Sequence, residues 1–347
     1  MILAQLHIQN LRNIQSERFN LHPHINIIAG PNGSGKTSFL ESIYLLGTGH
    51  SFRTREITPL VSHNTDSLVV FARTNDEQSI SIQKSISSPT QVRLNNYPCQ
   101  SSSELAHFLP CQVFYQDLFQ IIDAGPSTRR SLLDWGLFHV EPSYHLLWKN
   151  YRRSVKQRNS LLRQRTKQEM VKPWDLTLEQ LANKLDVLRA EYFRKLDEEF
   201  KKILPRLTDL ECSLSYYKGW DRKGTNKSLS QILADSFPTD LSRQFTQYGA
   251  HQADIIIESQ DYRVKQFLSR GQQKIILIAL KLAQTILMSQ PCVFLCDDLS
   301  SELDSNHLSS LFELITTIKG QFFITAIDIK SLPLNLDSQS FVSFALR

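Results

Sequence analysis

The sequence predicts an α/β nucleotide-binding head with an antiparallel β subdomain and an inserted helical arm, and three observations predict it. An apolar strand at residues 25–29 runs into Gly30-Pro31-Asn32-Gly33-Ser34-Gly35-Lys36-Thr37 and then into helix-spaced residues 38–46. A second apolar strand, residues 292–296, ends in Asp297-Asp298. Between the two lies a long helical pattern, residues 143–204, crowded with basic side chains at its start.

The glycine-rich stretch fits G-x-x-x-x-G-K-[ST] at every fixed position. Its three glycines let successive amides turn inward around an anion, at a helix N-terminus whose donors and dipole both favour phosphate. Gly30, Pro31, Asn32, Gly33, Ser34, Gly35, Lys36, Thr37 and Ser38 are therefore the expected nucleotide-binding residues. Lys36 is placed to reach the β- and γ-phosphates and Thr37 to hold Mg²⁺. The plain alternative is a strand-to-helix turn that binds nothing, but such a turn has no use for a Gly-Lys-Thr ending.

Length and composition allow this reading and narrow the rest. The 347 residues are enough for two or three domains, and 41% hydrophobic with 21% charged residues is ordinary for a globular chain. A net charge of +5 is only mildly basic, so nucleic-acid binding must rest on where the charge lies. No apolar run approaches a bilayer span, and the N-terminus lacks signal-peptide regions, so a cytosolic protein without membrane partners is expected. Cys99, Cys111, Cys212, Cys292 and Cys296 are scattered and odd in number, which reads as reduced thiols. His22 and His24 alternate without a third ligand and read as loop rather than metal site.

Along the chain, residues 2–8 and 17–21 flank a turn at Asn10-Leu11-Arg12-Asn13 and form a hairpin. Arg12 is either a solvated charge or folds back onto the nucleotide. Residues 68–73, 78–84 and 91–94 are short β runs divided by polar turns, and an antiparallel sheet follows from them. Residues 103–109 form a short helix ended by Pro110, and residues 111–115 a strand. Gln112 reads as a strand-end amide, either ordinary or sensing the γ-phosphate through Mg²⁺ or water. Arg129 and Arg130, at a helix start, are either a solvated face or phosphate contacts.

Residues 143–171 then read as one helix, with Lys149, Arg152, Arg153, Lys156, Arg158 and Arg163 among its cations. Pro173 is expected to break it. A second helix, residues 176–204, carries Leu178, Leu181, Leu185, Leu188 and Tyr192 in alternating three- and four-residue steps, a coiled-coil seam. The pair reads as an antiparallel hairpin inserted at residues 136–235 into a head made of residues 1–135 and 236–347. Arg152, Arg153 and Lys156 are its candidate DNA contacts, reading backbone rather than base because no base-reading motif accompanies them.

The nucleotide pattern resumes at Leu268-Ser269-Arg270-Gly271-Gln272, followed by an apolar helix, the strand ending at Asp297-Asp298, then Ser301-Glu302-Leu303-Asp304 and a core strand at residues 321–327. An apolar strand ending in two carboxylates suits Mg²⁺-nucleotide chemistry, with Asp297 supporting the metal and Asp298 orienting the attacking water.

In this order the motifs resemble the ABC-type P-loop ATPase head. That resemblance implies that Ser269, Arg270, Gly271, Gln272 and Asp304 act in trans, closing over the ATP of a second copy to make a homodimer. The match narrows to the RecF family of bacterial recombination and repair proteins. It is carried by residues 10–13, 45–53, Gly125-Pro126 with Arg129-Arg130, 133–136, 268–272, 297–298 and 301–304. The RecF resemblance implies ATP-dependent binding of double-stranded, gapped DNA, slow DNA-stimulated ATP hydrolysis, and action with RecO and RecR in loading RecA. Two features depart from the general ABC pattern: Asp298 stands where a glutamate is usual, and Ile327-Asp328 stand where a histidine is. Ala250 replaces a proline that RecF sequences often show, which leaves a role for neighbouring His251 open. The rival readings are a transporter ATPase subunit, disfavoured by the basic helical insertion, and an SMC-like tether, for which the arm is short. A phosphoryl-transferring kinase would have no purpose for the Leu-Ser-Arg-Gly-Gln turn.

Overall fold

A computed structural model describes residues 1–114, 120–259, 262–263, 268–333 and 340–346. It divides into two compact units, residues 1–118 with 289–347, and residues 119–288. In chain order the first unit begins with β1 (Leu3–Leu11), β2 (Ile14–Asn20), β3 (Ile25–Ala29), α1 (Lys36–Thr48) and β4 (Ser67–Thr74). It continues with β5 (Ser79–Ser85), β6 (Gln91–Leu94), β7 (Tyr97–Pro98), α2 (Ser102–Phe108) and β8 (Cys111–Phe114). The second unit holds α3 (Gln120–Asp123), α4 (Pro126–Val140), α5 (Tyr144–Arg163), α6 (Gln168–Leu207) and β9 (Ser213–Tyr217). Then follow α7 (Leu229–Arg243), β10 (Asp254–Ser259), β11 (Tyr262–Arg263) and α8 (Arg270–Ile286). The chain closes the first unit with β12 (Cys292–Cys296), α9 (Leu299–Glu302), α10 (Ser305–Ile315), β13 (Gly320–Ala326) and β14 (Phe341–Ala345).

Two sheets make the first unit. The parallel sheet has the order β14-β3-β13-β12-β8, and the antiparallel one β2-β1-β4-β5-β6-β7. Every residue of β3, β8, β12 and β13 is buried, as expected of a parallel sheet covered on both faces. Helix α1 lies between the sheets, packing on β1, β4 and β5 and on β8, β12 and β13. Its Phe39, Leu40, Ile43 and Leu46 join Leu6, Ile8, Val70 and Ile82 with Val293, Leu295 and Phe323 in one core. The helix that carries the phosphate loop is thus held from both sides. The hairpin and the three β runs expected from the sequence are all present. Tyr115, the last residue of the expected fourth strand, lies outside the described residues.

His22 and His24 form turn contacts. His22 Nδ1 accepts from the amides of His24 (3.1 Å) and Ile25 (3.2 Å), and His24 Nδ1 donates to the Gly320 carbonyl (2.9 Å). No cluster of potential metal ligands occurs among the described residues, and none of the five cysteines forms a disulfide. No helix among them is long and apolar enough to cross a membrane.

The second unit is larger than the insertion expected at residues 136–235, because α4 and α8 pack with the helical pair. Gln284 on α8 donates to the Leu132 carbonyl (2.7 Å) and to Tyr192 Oη on α6 (3.3 Å). Gly136 lets α4 come this close, since a Cβ there would stand 1.9 Å from Tyr192 Oη. Helices α5 and α6 run in opposite directions: Arg158 meets Asp175, and Tyr144 meets Arg189. The break between them falls at residues 164–167, not at Pro173. Arg165 adopts a left-handed φ of 52° and turns the chain, whereas Pro173 sits in the second turn of α6 and forgoes only one backbone bond there.

The expected seam on α6 is only partly as read: Leu178, Leu185 and Tyr192 are buried, whereas Leu181 and Leu188 are half-buried and Ala182 and Arg189 take their places. Buried positions run Val171, Asp175, Leu178, Ala182, Leu185, Arg189, Tyr192 and Leu196. Arg158 is fully buried rather than part of a solvated stripe; it donates to Asp175 (2.6 Å), Asp240 (2.6 Å) and Thr246 Oγ1 (3.0 Å). Arg189, equally buried, donates to Asp134 (2.7 Å), Tyr144 Oη (3.0 Å) and the Ala250 carbonyl (2.6 Å). Each buried charge is therefore paired and hydrogen-bonded.

His251 belongs to the same interior. Tyr151 Oη donates to its Nδ1 (2.8 Å), and its Nε2 donates to the Thr246 carbonyl (2.9 Å). Burial lowers its pKa to about 4. The neutral ring is the one that fits, so its contribution is present above the ordinary value near 6.5 and is lost as pH falls toward 4. The difference is worth roughly 3 kcal/mol. Urea unfolding should therefore report about that much less stability at pH 4 than at pH 7 from this group, and His251→Gln should flatten that part of the profile.

Candidate nucleotide site

The phosphate loop leaves β3 at Gly30 and ends where Gly35 caps α1. Gly35 has φ 101° and no side chain to cap the helix, so the first amides of α1 point into the loop. Gly33 is left-handed as well, at φ 84°. Among the described residues, the amides of Gly33, Gly35, Lys36 and Thr37 have no protein acceptor. Ser34 Oγ is buried and likewise without a hydrogen-bond partner there. Lys36 bends over the loop, its Nζ donating to the carbonyls of Gly30 (2.7 Å) and Pro31 (2.9 Å). Unpaired donors around a lysine are a cradle for a multiply charged anion.

The acidic strand end reaches the same loop. Thr37 Oγ1 donates to both Asp297 oxygens, at 3.2 and 3.1 Å, across 260 residues of sequence. Thr325, on the neighbouring β13, fixes that carboxylate by donating to Asp297 Oδ1 (2.8 Å) and accepts from the Asp298 amide (2.8 Å). Asp298 itself is the N-cap of α9 in a left-handed conformation, φ 48°. Its Oδ1 is buried and has no hydrogen-bond partner among the described residues. A carboxylate held in a sparsely occupied backbone region, with an unused oxygen, is a frequent signature of a working group.

Other expected site residues stand differently. Arg12 forms a two-pronged ion pair with Glu41 of α1, through Nε to Oε2 and Nη2 to Oε1 (2.9 Å), and also donates to the Pro59 carbonyl (3.2 Å). Glu41 is fully buried and also accepts from Ser51, so Arg12 neutralises an interior carboxylate. Gln112 is not at a strand end. It lies inside β8, paired in register with Phe294 and buried, two residues before Phe114 at the strand's edge. Its Nε2 has no partner among the described residues.

In the second unit, Ser269 caps α8 in a reciprocal box: its Oγ accepts from the Gln272 amide (3.3 Å), and Gln272 Oε1 accepts from the Ser269 amide (2.9 Å). Ser269 and Arg270 are exposed, Gly271 half-buried, and Arg270 pairs with Asp123 (2.5 Å). Asp304 caps α10, accepting from the amides of Asn306 (3.1 Å) and His307 (3.0 Å), bonds that hold its carboxyl below the usual range. Arg129 and Arg130 are half-buried rather than a solvated face. Arg129 pairs doubly with Asp254 (2.7 and 2.9 Å), and Arg130 donates to the Ala253 carbonyl (2.7 Å). Arg152, Arg153 and Lys156 are exposed on α5.

The family model described as RecF/RecN/SMC N terminal domain matches residues 2–339. A DNA replication and repair protein RecF from Pseudomonas syringae pv. tomato is 37% identical over 338 residues, covering 94% of this chain and 91% of its own. The chain belongs to the RecF family. Another RecF, from Francisella tularensis subsp. mediasiatica, is 35% identical over 349 residues, 99% of either chain. Among solved structures, the recombination mediator protein RecF with ATP, of the RecFOR pathway, superposes with a TM-score of 0.80 at 24% identity, covering 97% of this chain and 93% of its own. An Smc head with an extended coiled coil from Pyrococcus furiosus gives 0.62 at 15% identity, covering 97% and 92%. Both likenesses carry the fold alone, a mixed α/β head with an antiparallel sheet and helical regions.

Within this RecF-family head, three supporting residues escaped the sequence reading. Asn13 donates to the Gly33 carbonyl (2.9 Å) and accepts from Ser38 Oγ (3.1 Å), bracing the loop from the β1–β2 turn. Its place beside Arg12 was the available signal. Glu41 and Thr325 gave none, because an acid inside a helix and a threonine inside a strand look ordinary until their partners are known.

Proposed function

We propose that the chain binds ATP with Mg²⁺ at the phosphate loop, pairs head to tail with a second copy around it, and uses that closure to hold DNA. The observation that carries the reading is the bond between Thr37 and Asp297, which joins the loop to the acidic strand end beside unpaired loop amides. The oxygen set of Thr37 and Asp297 fits a hard cation. Mg²⁺, when bound, neutralises charge on the β- and γ-phosphates. The chain's own residues do the rest. Loop amides, Ser34 Oγ and the third N–H of Lys36 bind phosphate oxygens, and Asp298 orients a water and accepts its proton. In a paired copy, the exposed Ser269 keeps a free O–H to offer a γ-phosphate, with Gly271 leaving room for its approach. Asp298 is one methylene shorter than the usual glutamate, and slow turnover follows from that reach. Arg152, Arg153 and Lys156 add basic surface for the duplex backbone near a gap. The names of the RecF relatives support a role in replication and repair, and the RecFOR pathway to which the solved RecF belongs supports RecO and RecR as partners, with RecA loading downstream.

Lys36→Met removes a charged donor worth about 1.5–3 kcal/mol. ATP should then bind about 10- to 100-fold more weakly by equilibrium titration. Unchanged affinity would move the nucleotide site elsewhere.

A further inference from the structure

A second cavity, about 610 Å³, is built wholly from residues of the second unit. Arg130 stands on one wall, from the first turns of α4, and Arg152 and Lys156 on the other, from α5, with Trp148 between them. Its charge is strongly one-sided. Arg152 and Lys156 have no ion-pair partner among the described residues, and Arg130 uses one N–H on the Ala253 carbonyl (2.7 Å) out of five donors. The acidic lining residue, Asp134, accepts from Tyr144 Oη (2.5 Å) and from Arg189 (2.7 Å), both at Oδ1, so its charge is matched by the Arg189 guanidinium. His251, also in the lining, has both ring nitrogens engaged. Trp148 stacks on Tyr151 at 5.6 Å and lies 4.9 Å from the Arg189 guanidinium, so it is a fixed wall rather than a platform for a base.

From this geometry we infer that the cavity is a second phosphoanion site, separate from the phosphate loop, in which Arg130, Arg152 and Lys156 converge on a phosphate or pyrophosphate group. Three cations facing one concavity suit a compact multiply charged group, and the volume is that of a nucleotide-sized ligand. The same chemistry comes from a free phosphoanion or from the terminal phosphate of a nucleic-acid strand. Arg153, exposed on the same helix but outside the lining, is an internal control for mere surface charge.

The test uses the full chain carrying Lys36→Met, so that the outcome is independent of nucleotide binding at the loop. Inorganic pyrophosphate is titrated by calorimetry at fixed ionic strength. Saturable binding is expected, weakened at least about tenfold by Arg152→Gln with Lys156→Gln and changed less than about twofold by Arg153→Gln. Ser131→Phe, which fills the cavity without removing charge, should weaken it equally. Competition by an oligonucleotide bearing a 5′-phosphate, but not by the same strand with hydroxyl ends, assigns the site to strand termini. Equal, weak competition by both assigns it to free phosphoanions. Absence of saturable binding, or an Arg153→Gln effect as large as that of the double variant, overturns the site.

Discussion

Replacing Asp298 by Asn is expected to leave ATP bound and the dimer closed while slowing hydrolysis about 10²- to 10⁴-fold, the range typical of a lost general base. The amide preserves the size of the side chain, so the N-cap and the left-handed turn that begins α9 persist. What disappears is the acceptor for the water's proton. Thr37, Asp297 and Lys36, the groups proposed to hold phosphate and metal, are untouched. Single-turnover phosphate release measures the chemical step, and sedimentation with saturating ATP measures closure. A chain that remains monomeric with ATP bound would contradict the proposed head-to-tail pairing, whatever the hydrolysis rate.

Arg158→Met should cost the fold about 3–5 kcal/mol, because it leaves Asp175 and Asp240 buried without their cation. Burial already raises the Asp175 pKa, with Arg158 opposing that rise. Removing the arginine leaves the penalty and takes away the compensation. Urea unfolding of the full chain would report the loss. Changing Asp175 and Asp240 to Leu in the same variant should recover most of it, since an apolar interior of similar volume has no charge to desolvate. A single variant as stable as the parent would mean that water reaches the cluster.

Sequence patterns that act locally were legible. The phosphate loop, the acidic strand end, the alternating strands and the leucine seam each follow from spacing within a few residues. What failed was assigning partners. Arg129, Arg130 and Arg158 looked like free cations, but Asp254, Ala253, Asp175 and Asp240 meet them only after the chain has folded. Gln112 was placed at a strand end because its neighbours do not reveal where pairing with β12 stops. Pro173 suggested a break, although a proline near a helix start costs one bond, which packing along the rest of α6 offsets. Helix α7 went unnoticed even though its capping box, Ser228 with Gln231, is written in the sequence.

The charged seam of α6 also fixes the register of the helical pair. Apolar residues recur every seven positions at Val171, Leu178, Leu185 and Tyr192, so an apolar seam alone would accept a slide of one heptad with little resistance. Asp175 and Arg189 stand fourteen residues apart on that seam, with Ala182 midway. A slide of seven residues either way would set an alanine against Arg158 or against Tyr144 and Asp134, stranding a buried charge at a cost of several kcal/mol. The two helices are therefore keyed like a ratchet with a single tooth position. Displacement at one end of the pair should travel to the other as rigid motion rather than dissipate as slip.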